Sequence, residues 1–124
     1  MAANRDHIRK AVGQYIEFLN VSDIDSIAEL YAEDATVEDP VGTEQIRGRE
    51  AIHAFYGAAL ANKNASFEQT GKARVAAGQV AFPMHIHVGG MHTIEVIDLM
   101  VFNDDGLITS MRAFWSTDEN QEGT

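Results

Sequence analysis

One acidic residue stands inside an otherwise apolar run of the sequence. Asp98 lies within the stretch EVIDLMVF, residues 95–102, where its immediate neighbours are aliphatic or aromatic. A carboxylate in such a strand loses its hydration, and a buried charge without a partner usually takes up a proton. The ordinary alternative is an ion pair, but the chain has only nine basic residues. Arg112, on the next predicted strand, has the parity of an outward side chain. We therefore predict a protonated Asp98 that donates a hydrogen bond.

A second acid, Asp39, follows the alternating segment ATVED. In an extended segment Ala35, Val37 and Asp39 share one face, whereas Thr36 and Glu38 share the other. This alternation predicts that Asp39 points toward the apolar side. An Asp-Pro turn, in which the carboxylate accepts hydrogen bonds from local backbone N–H groups, explains the same residue equally well.

Three tyrosines, Tyr15, Tyr31 and Tyr56, occupy positions predicted to lie on apolar faces of helices. Each brings a ring to the core and a hydroxyl that needs a partner. Taken singly, each is explained as a core tyrosine bonded to a backbone carbonyl. Taken with Asp98, they can form one buried polar network, and such networks are costly unless every member is satisfied. The combination therefore indicates a functional site.

Two histidines, His85 and His87, are spaced i and i+2 on one side of a predicted strand, and His92 follows nearby. Three imidazoles can ligate zinc. However, the first two face away from the apolar side of their strand, and the chain has no catalytic zinc motif. We predict no metal site and no organic cofactor.

Helical periodicity predicts three amphipathic helices that position the tyrosines. The first spans about residues 5–20. The second begins after an N-cap at Ser22 and carries Tyr31 on its inner face. Gly48 opens the third, whose inner face includes Phe55 and Tyr56.

Beyond residue 63 the period changes to that of strands. The pairs Ala77-Gly78, Gly89-Gly90 and Asp105-Gly106 mark hairpin turns between them. Helices followed by an antiparallel sheet predict an α+β fold, with a curved antiparallel or mixed sheet over three N-terminal helices and a conical pocket between the layers.

The strand that carries Asp98 is apolar on both faces, because Ile97, Leu99 and Val101 point away from the face that holds the acid. In a small antiparallel sheet one face is usually wet. A second apolar face therefore indicates a cover, and another copy of the chain is the simplest one. We predict a homodimer.

Composition limits the remaining classes of function. The 124 residues suit one domain, residues 1–124, with a polar tail at 117–124 that we expect to fray. The absence of cysteine excludes disulfides and thiolate ligands. The net charge of −10 argues against nucleic acid, which needs clustered Lys and Arg. No apolar run approaches the roughly 18 residues of a membrane helix. The first ten residues also lack a signal-peptide core, so we expect a cytoplasmic protein with no membrane partner.

Several motifs together resemble one enzyme family. The stretches YAEDATVEDPVG (31–42), GREAIHAFY (48–56), VIDLMVF (96–102) and SMRAFW (110–115) are similar to those of bacterial steroid Δ5-isomerases, also called ketosteroid isomerases. The similarity runs from about residue 8 to residue 116. It implies the cone-shaped scaffold shared with nuclear transport factor 2, which hosts many functions.

The resemblance also implies a reaction, in which a β,γ-unsaturated 3-oxosteroid becomes its conjugated α,β-isomer without metal or cofactor. Asp39 matches the family's general base and Tyr15 its oxyanion-hole tyrosine. Ketosteroid isomerases are themselves the standard example of an aspartic acid kept neutral by an apolar site so that it can donate a hydrogen bond, and Asp98 matches that residue. Tyr31 and Tyr56 match the tyrosines that extend the network. The positions that match the apolar lining of the steroid site are Phe55, Phe82, Met84, Met111 and Trp115.

Two other functions fit the same scaffold. A polyketide cyclase or an epoxide hydrolase is one, and an epoxide hydrolase needs an Asp–Arg–Asp arrangement around a water, with Arg112 facing the pocket. A binding module for an apolar ligand or peptide is the other. A pure binder gains little from a buried acid, so Asp39, Tyr15 and Asp98 together favour an enzyme.

Overall fold

The computed structural model describes residues 3–90 and 92–115, so the tail that the sequence predicts to fray lies outside the described residues. Three helices and seven strands follow one another within these ranges. The helices are α1 (Arg5–Val21), α2 (Ile24–Glu29) and α3 (Arg49–Ala59), and the strands are β1 (Tyr31–Glu38), β2 (Ile46–Arg47), β3 (Ala65–Gln69), β4 (Arg74–Ala76), β5 (Gln79–Val88), β6 (His92–Phe102) and β7 (Ile108–Phe114).

Helix α1 presents the apolar face that the sequence predicts. The side chain of Asn4 accepts a hydrogen bond from the backbone N–H of His7 at 2.7 Å and so caps the first turn. The buried residues of the helix are Ile8, Ala11, Val12, Tyr15 and Leu19. Ser22 ends the helix in the left-handed conformation, so its predicted role as the N-cap of the next helix is wrong. That role belongs to Asp23, whose carboxylate accepts from the backbone N–H of Ser26.

Helix α2 is shorter than predicted, and Tyr31 lies on a strand instead of on its inner face. The helix ends because the backbone carbonyl of Leu30 accepts a hydrogen bond from the N–H of Ile108 at 2.9 Å. This bond leads the chain directly into β1, where Tyr31 pairs with Ile108 of β7. The Tyr31 side chain is nevertheless fully buried.

The sheet is mixed, with the strand order β2-β1-β7-β6-β5-β3, and β4 also pairs with β5. Strands β1 and β7 run parallel, and the other pairs are antiparallel. Strands β1 and β2 precede α3, so the predicted order of helices followed by strands is wrong in this detail. The α+β class, the three helices and the curved mixed sheet are confirmed.

Alternation along the central strands separates two faces of the sheet. On β6 Val96, Asp98, Met100 and Phe102 are buried toward the helices, while Ile97 on the other face is 51% exposed. We call the side of the sheet toward the helices the inner face and the opposite side the outer face. The inner face and the buried sides of the helices form one hydrophobic core. In the part of the chain that the structure describes, no helix is long and apolar enough to cross a membrane.

Candidate active site

The predicted site residues come from separate elements that meet on the inner face. Tyr15 lies on α1 and Tyr56 on α3, and both are buried. Tyr31 begins β1, and Asp98 lies in the middle of β6. Asp39 follows the last residue of β1, and Trp115 follows the last residue of β7, so the parallel pairing of these strands brings both residues to the same end of the sheet.

The three tyrosine hydroxyls form one chain of hydrogen bonds, with Tyr56 at its centre. The Tyr56 oxygen lies 2.9 Å from that of Tyr15 and 2.7 Å from that of Tyr31. The rings of Tyr15 and Tyr56 meet edge to face, with centroids 6.1 Å apart. Burial, as the largest cause, raises the pKa of all three hydroxyls well above 10, so the chain is neutral at physiological pH.

Asp98 is the buried acid of the described core. Its side chain is 2% exposed, and its neighbours across the sheet are Phe82 on β5 and Ala113 on β7. Burial raises its pKa well above the ordinary aspartate value, and the charge of Asp39 raises it further. Its Oδ2 atom is buried and forms no hydrogen bond within the described residues. A neutral acid therefore has an oxygen available on the inner face for a molecule that binds there.

Asp39 is only half-buried and forms one specific contact. The indole Nε1 of Trp115 donates to its Oδ1 at 2.8 Å. Burial raises the pKa of Asp39, and the bond from Trp115 counteracts the rise because it stabilises the ionised form. The local turn is capped by Glu38, whose Oε2 accepts from the backbone N–H of Gly42 at 3.0 Å. The alternative role, in which a carboxylate accepts hydrogen bonds from the backbone of a local turn, therefore belongs to Glu38 and not to Asp39.

The two acids and Tyr15 share one electrostatic environment. After burial, the Tyr31 hydroxyl, Asp98 and Asp39 each contribute to the raised pKa of Tyr15. The pKa of Asp98 is raised far more than that of Asp39. Between these two pKa values the site holds one ionised acid beside one neutral acid. In this arrangement the Asp39 carboxylate can accept a proton, and Asp98 and Tyr15 can donate O–H hydrogen bonds.

The apolar residues predicted to line the site lie on or beside the inner face. Phe82, Met84 and Met111 are buried there, and Phe55 and Trp115 are half-buried against the same core. Phe82 contacts the Tyr15 ring edge to face, with centroids 6.5 Å apart.

Arg112 points away from the two acids, as strand parity predicts. It lies on the outer face, where its Nε donates to the Oε1 of Glu38 at 3.2 Å and its guanidinium lies 5.2 Å from the centre of the Phe114 ring. Within residues 3–90 and 92–115, no basic side chain forms a hydrogen bond or ion pair with Asp39 or Asp98.

Two features of the structure escape sequence reasoning. The resemblance implies only that Trp115 lines the site, whereas in the structure its indole N–H donates to Asp39. No sequence pattern singles out Glu68, yet its carboxylate lies beside His85 and His87 on the outer face. The i, i+2 spacing of the two histidines is the sequence signal that points to this cluster.

Comparison with known proteins identifies the family. A family model described as a SnoaL-like domain matches residues 12–111. The chain belongs to the SnoaL-like family. Its fold is therefore that of the nuclear transport factor 2-like group, as the sequence motifs indicate.

Three relatives of this SnoaL-like protein are enzymes of two kinds. The Steroid Delta-isomerase of Nocardioides simplex is 44% identical over 112 residues, which cover 88% of this chain and 89% of that protein. The epoxide hydrolase LasB of Streptomyces lasalocidi is 29% identical over 123 residues, which cover 91% of this chain and 43% of that protein. A solved structure of SalBIII, an epoxide hydrolase/cyclase-like enzyme with a role in pyran ring formation in the polyether salinomycin, superimposes with a TM-score of 0.83. It is 25% identical, and the match covers 92% of this chain and 94% of that one. The relatives are thus enzymes of one superfamily.

Proposed function

We propose that this protein is a Δ5-3-ketosteroid isomerase. The ionised Asp39 takes a proton from the carbon between the carbonyl and the double bond, which gives a dienolate. The same carboxyl then returns that proton to the substrate two carbons further along the steroid skeleton, which yields the conjugated α,β-unsaturated ketone. Tyr15 and the neutral Asp98 donate hydrogen bonds to the oxygen on which negative charge develops.

The observation that carries the proposal is the state of Asp98. An ionised carboxylate there would repel a developing oxyanion, whereas a neutral one can donate to it. The apolar strand and the charge of Asp39 both favour the neutral form. Fixed donors aimed at developing charge usually contribute the largest share of catalysis in such reactions. The Oδ2 atom of Asp98 forms no hydrogen bond within the described residues, so it is available for a hydrogen bond to the substrate oxygen.

The tyrosine chain supports the second donor. Tyr56 holds the hydroxyl of Tyr15, and Tyr31 holds that of Tyr56, so the Tyr15 hydroxyl is oriented before a ligand arrives. Such preorganisation means that little reorganisation is needed when charge appears on the substrate. The similarity to a Steroid Delta-isomerase over most of both chains supports the same substrate class.

Epoxide opening is the second candidate, because two relatives are described as epoxide hydrolases or cyclases. The Asp–Arg–Asp arrangement that such a reaction needs lacks its arginine on the inner face, since Arg112 pairs with Glu38 on the outer one. The isomerase therefore accounts for more of the site than epoxide opening does.

The proposal includes a homodimer in the cytoplasm with a steroid as its small-molecule partner. Ile97 and Phe114 on the outer face are 51% and 42% exposed in the single chain. Covering these side chains with a second copy would remove apolar surface from water, which is the usual driving force for such association.

The test is ultraviolet absorbance of a β,γ-unsaturated 3-oxosteroid mixed with the protein. We expect the conjugated enone band to grow with the wild type. Asp39→Asn should lower the rate by at least about 100-fold, since it removes the general base. Asp98→Ala should lower it by roughly 100- to 1,000-fold, as the loss of one oxyanion donor does elsewhere.

Glu38→Gln is the matched control, because Glu38 adjoins Asp39 in sequence but bonds to Arg112 on the outer face, and the amide oxygen of Gln can still accept from the backbone N–H of Gly42. It should keep near-normal turnover. Normal turnover by Asp39→Asn would contradict the role of Asp39. Steroid binding by the wild type without any enone band would leave a binding module, and turnover of an epoxide alone would favour the hydrolase.

A further inference from the structure

A cluster of metal-ligating side chains lies on the outer face of the sheet, away from the candidate active site. Strands β3 and β5 are antiparallel neighbours, and their register places Glu68 directly across from His85. His87 lies two residues further along β5, on the same face. One ligand atom from each of the three residues lies within 4.8 Å of the other two.

The hydrogen bonds of His87 show how the ring is held. Its Nε2 lies 3.0 Å from Oε1 of Glu68, and its Nδ1 lies 3.0 Å from Oγ1 of Thr93 on β6. When Nδ1–H donates to Thr93, Nε2 and the carboxylate both present lone pairs toward the same point. A cation between them relieves that repulsion. A metal-ligating histidine usually donates its second ring N–H to a carboxylate, a backbone carbonyl or water, and the Thr93 hydroxyl takes that place here.

We propose that Glu68, His85 and His87 form a binding site for a divalent transition metal such as Zn²⁺. Imidazole nitrogens and a carboxylate oxygen are the donors that Zn²⁺ accepts at about 2.0–2.2 Å, and two such donors on a tetrahedral ion lie about 3.3 Å apart. The Glu68 and His87 atoms are already close to that separation. His85 reaches the ion by a side-chain rotation, and water completes the coordination.

Exposure and charge favour entry of a cation. In the single chain, all three side chains are accessible to solvent. Glu95 lies across from His85 on β6, so a second carboxylate flanks the cluster. The chain carries a net charge of −10, and a negative surface raises the local concentration of cations.

Binding there would join the edge strand β3 to β5. Glu68 comes from β3, and both histidines come from β5. A metal that binds the folded chain but not the unfolded one stabilises it by mass action. The inner face of β5 carries Phe82 and Met84, so the metal lies on the opposite side of the sheet from the proposed catalytic residues. This site is independent of the proposed isomerase function.

The test is calorimetric titration of ZnCl2 into untagged, EDTA-treated protein. We expect one ion per chain for the wild type. His85→Asn and His87→Asn should each weaken the apparent affinity at least about tenfold, a scale that even the loss of an orienting partner reaches. The double variant should lose the binding heat. His92→Asn is the matched control, because His92 is a nearby exposed histidine outside the cluster, and it should bind as the wild type does.

Thermal unfolding provides a second readout that needs no activity. Added Zn²⁺ should raise the Tm of the wild type and of His92→Asn, and leave that of the double variant unchanged. The proposal would be overturned by absence of binding to the wild type, or by equal affinity in the wild type and the folded double variant. Half an ion per chain would place the metal between two copies and would also overturn a site within one chain.

Discussion

At the scale of single residues, the two aspartates of the site differ in protonation because their environments differ. Asp98 lies inside an apolar strand, whereas Asp39 lies at a strand end beside an indole N–H. Burial raises the pKa of both, but Asp39 keeps a donor that stabilises its ionised form. Residues of the same chemical type can therefore act as acceptor and donor at one pH.

The raised pKa of Asp98 predicts how stability depends on pH. The folded chain holds this proton more tightly than the unfolded chain, so the stabilising contribution is complete below the ordinary aspartate pKa of about 3.9. It is lost as pH rises through the folded pKa, by up to about 1.4 kcal/mol per pH unit. Asp98→Asn lacks this titration. Its free energy of unfolding, relative to that of the wild type, should therefore increase as pH rises from 4 to 8. Urea unfolding at several pH values measures the difference.

Glu44→Gln, at an exposed acid, is the control for the urea experiment. Its difference from the wild type should stay constant across the same pH range. A constant difference for Asp98→Asn as well would mean that Asp98 is not held neutral in the folded chain. Asp39 titrates in all three proteins, so its own contribution largely cancels.

Trp115→Phe keeps an aromatic ring but removes the hydrogen bond to Asp39. Because that bond lowers the pKa of Asp39, the variant should have a higher pKa at this residue. If Asp39 is the base, the acid limb of the pH profile of kcat/KM moves to higher pH. A lower rate with an unmoved limb would mean that Trp115 contributes packing only.

At the scale of elements, the sequence predicts periodicity well and register poorly. The inner face of α1 and the alternation of β6 follow from residue spacing, because burial imposes periods of 3.6 and 2. The local pattern wrongly puts Tyr31 on α2, because Ile24, Ile27 and Ala28 continue to it at helical spacing. The backbone bond from Ile108 to Leu30, which ends α2, is a long-range contact that no local pattern contains. The meeting of Glu68 with His85 depends on register in the same way.

The tyrosine chain joins α1, α3 and β1, and its central hydroxyl should matter most to stability. Tyr56→Phe breaks two hydrogen bonds and leaves the hydroxyls of Tyr15 and Tyr31 buried without their partner. Tyr31→Phe breaks only one. With a cost of about 1–3 kcal/mol for each buried polar group left unsatisfied, Tyr56→Phe should destabilise more than Tyr31→Phe.

Urea unfolding of both tyrosine variants, with their double variant, measures the coupling between the two hydroxyls. The double variant should lose less than the sum of the single losses, because both changes break the same Tyr31–Tyr56 bond. Strict additivity would mean that the hydroxyls do not act as one network.

At the scale of the whole molecule, one face of the sheet packs on the core and the other carries the exposed Ile97 and Phe114, through which we propose that two copies associate. The motifs of the sequence, from YAEDATVEDPVG to SMRAFW, indicate the scaffold, because those residues carry the family's pattern over most of the chain. The substrate follows less directly, since the same scaffold serves epoxide hydrolase and cyclase relatives. What distinguishes these chemistries is the position of a few side chains, which depends on tertiary contacts.

The proposed dimer predicts the effect of a charge on the outer face. Ile97→Glu should convert a dimer to a monomer, because a twofold interface would bury the new carboxylate in both copies. Light scattering after gel filtration measures the mass. Val21→Glu is the control, since Val21 is also an exposed aliphatic residue but lies on α1. A monomeric wild type, or a dimeric Ile97→Glu, would contradict an interface through this face.

The hydrogen bond between Trp115 and Asp39 also has an optical consequence. Trp115 is the one tryptophan in the chain, so tryptophan emission, excited at wavelengths that tyrosine does not absorb, has a single source. The indole nitrogen of Trp115 lies 2.8 Å from the accepting oxygen of Asp39. Ionisation of Asp39 therefore places a full negative charge beside the indole. The emission should therefore change when Asp39 takes up its proton, or when a ligand breaks the hydrogen bond between Trp115 and Asp39. Asp39→Asn should remove the pH-dependent change. The protein thus contains a label-free reporter of the charge on one carboxyl group.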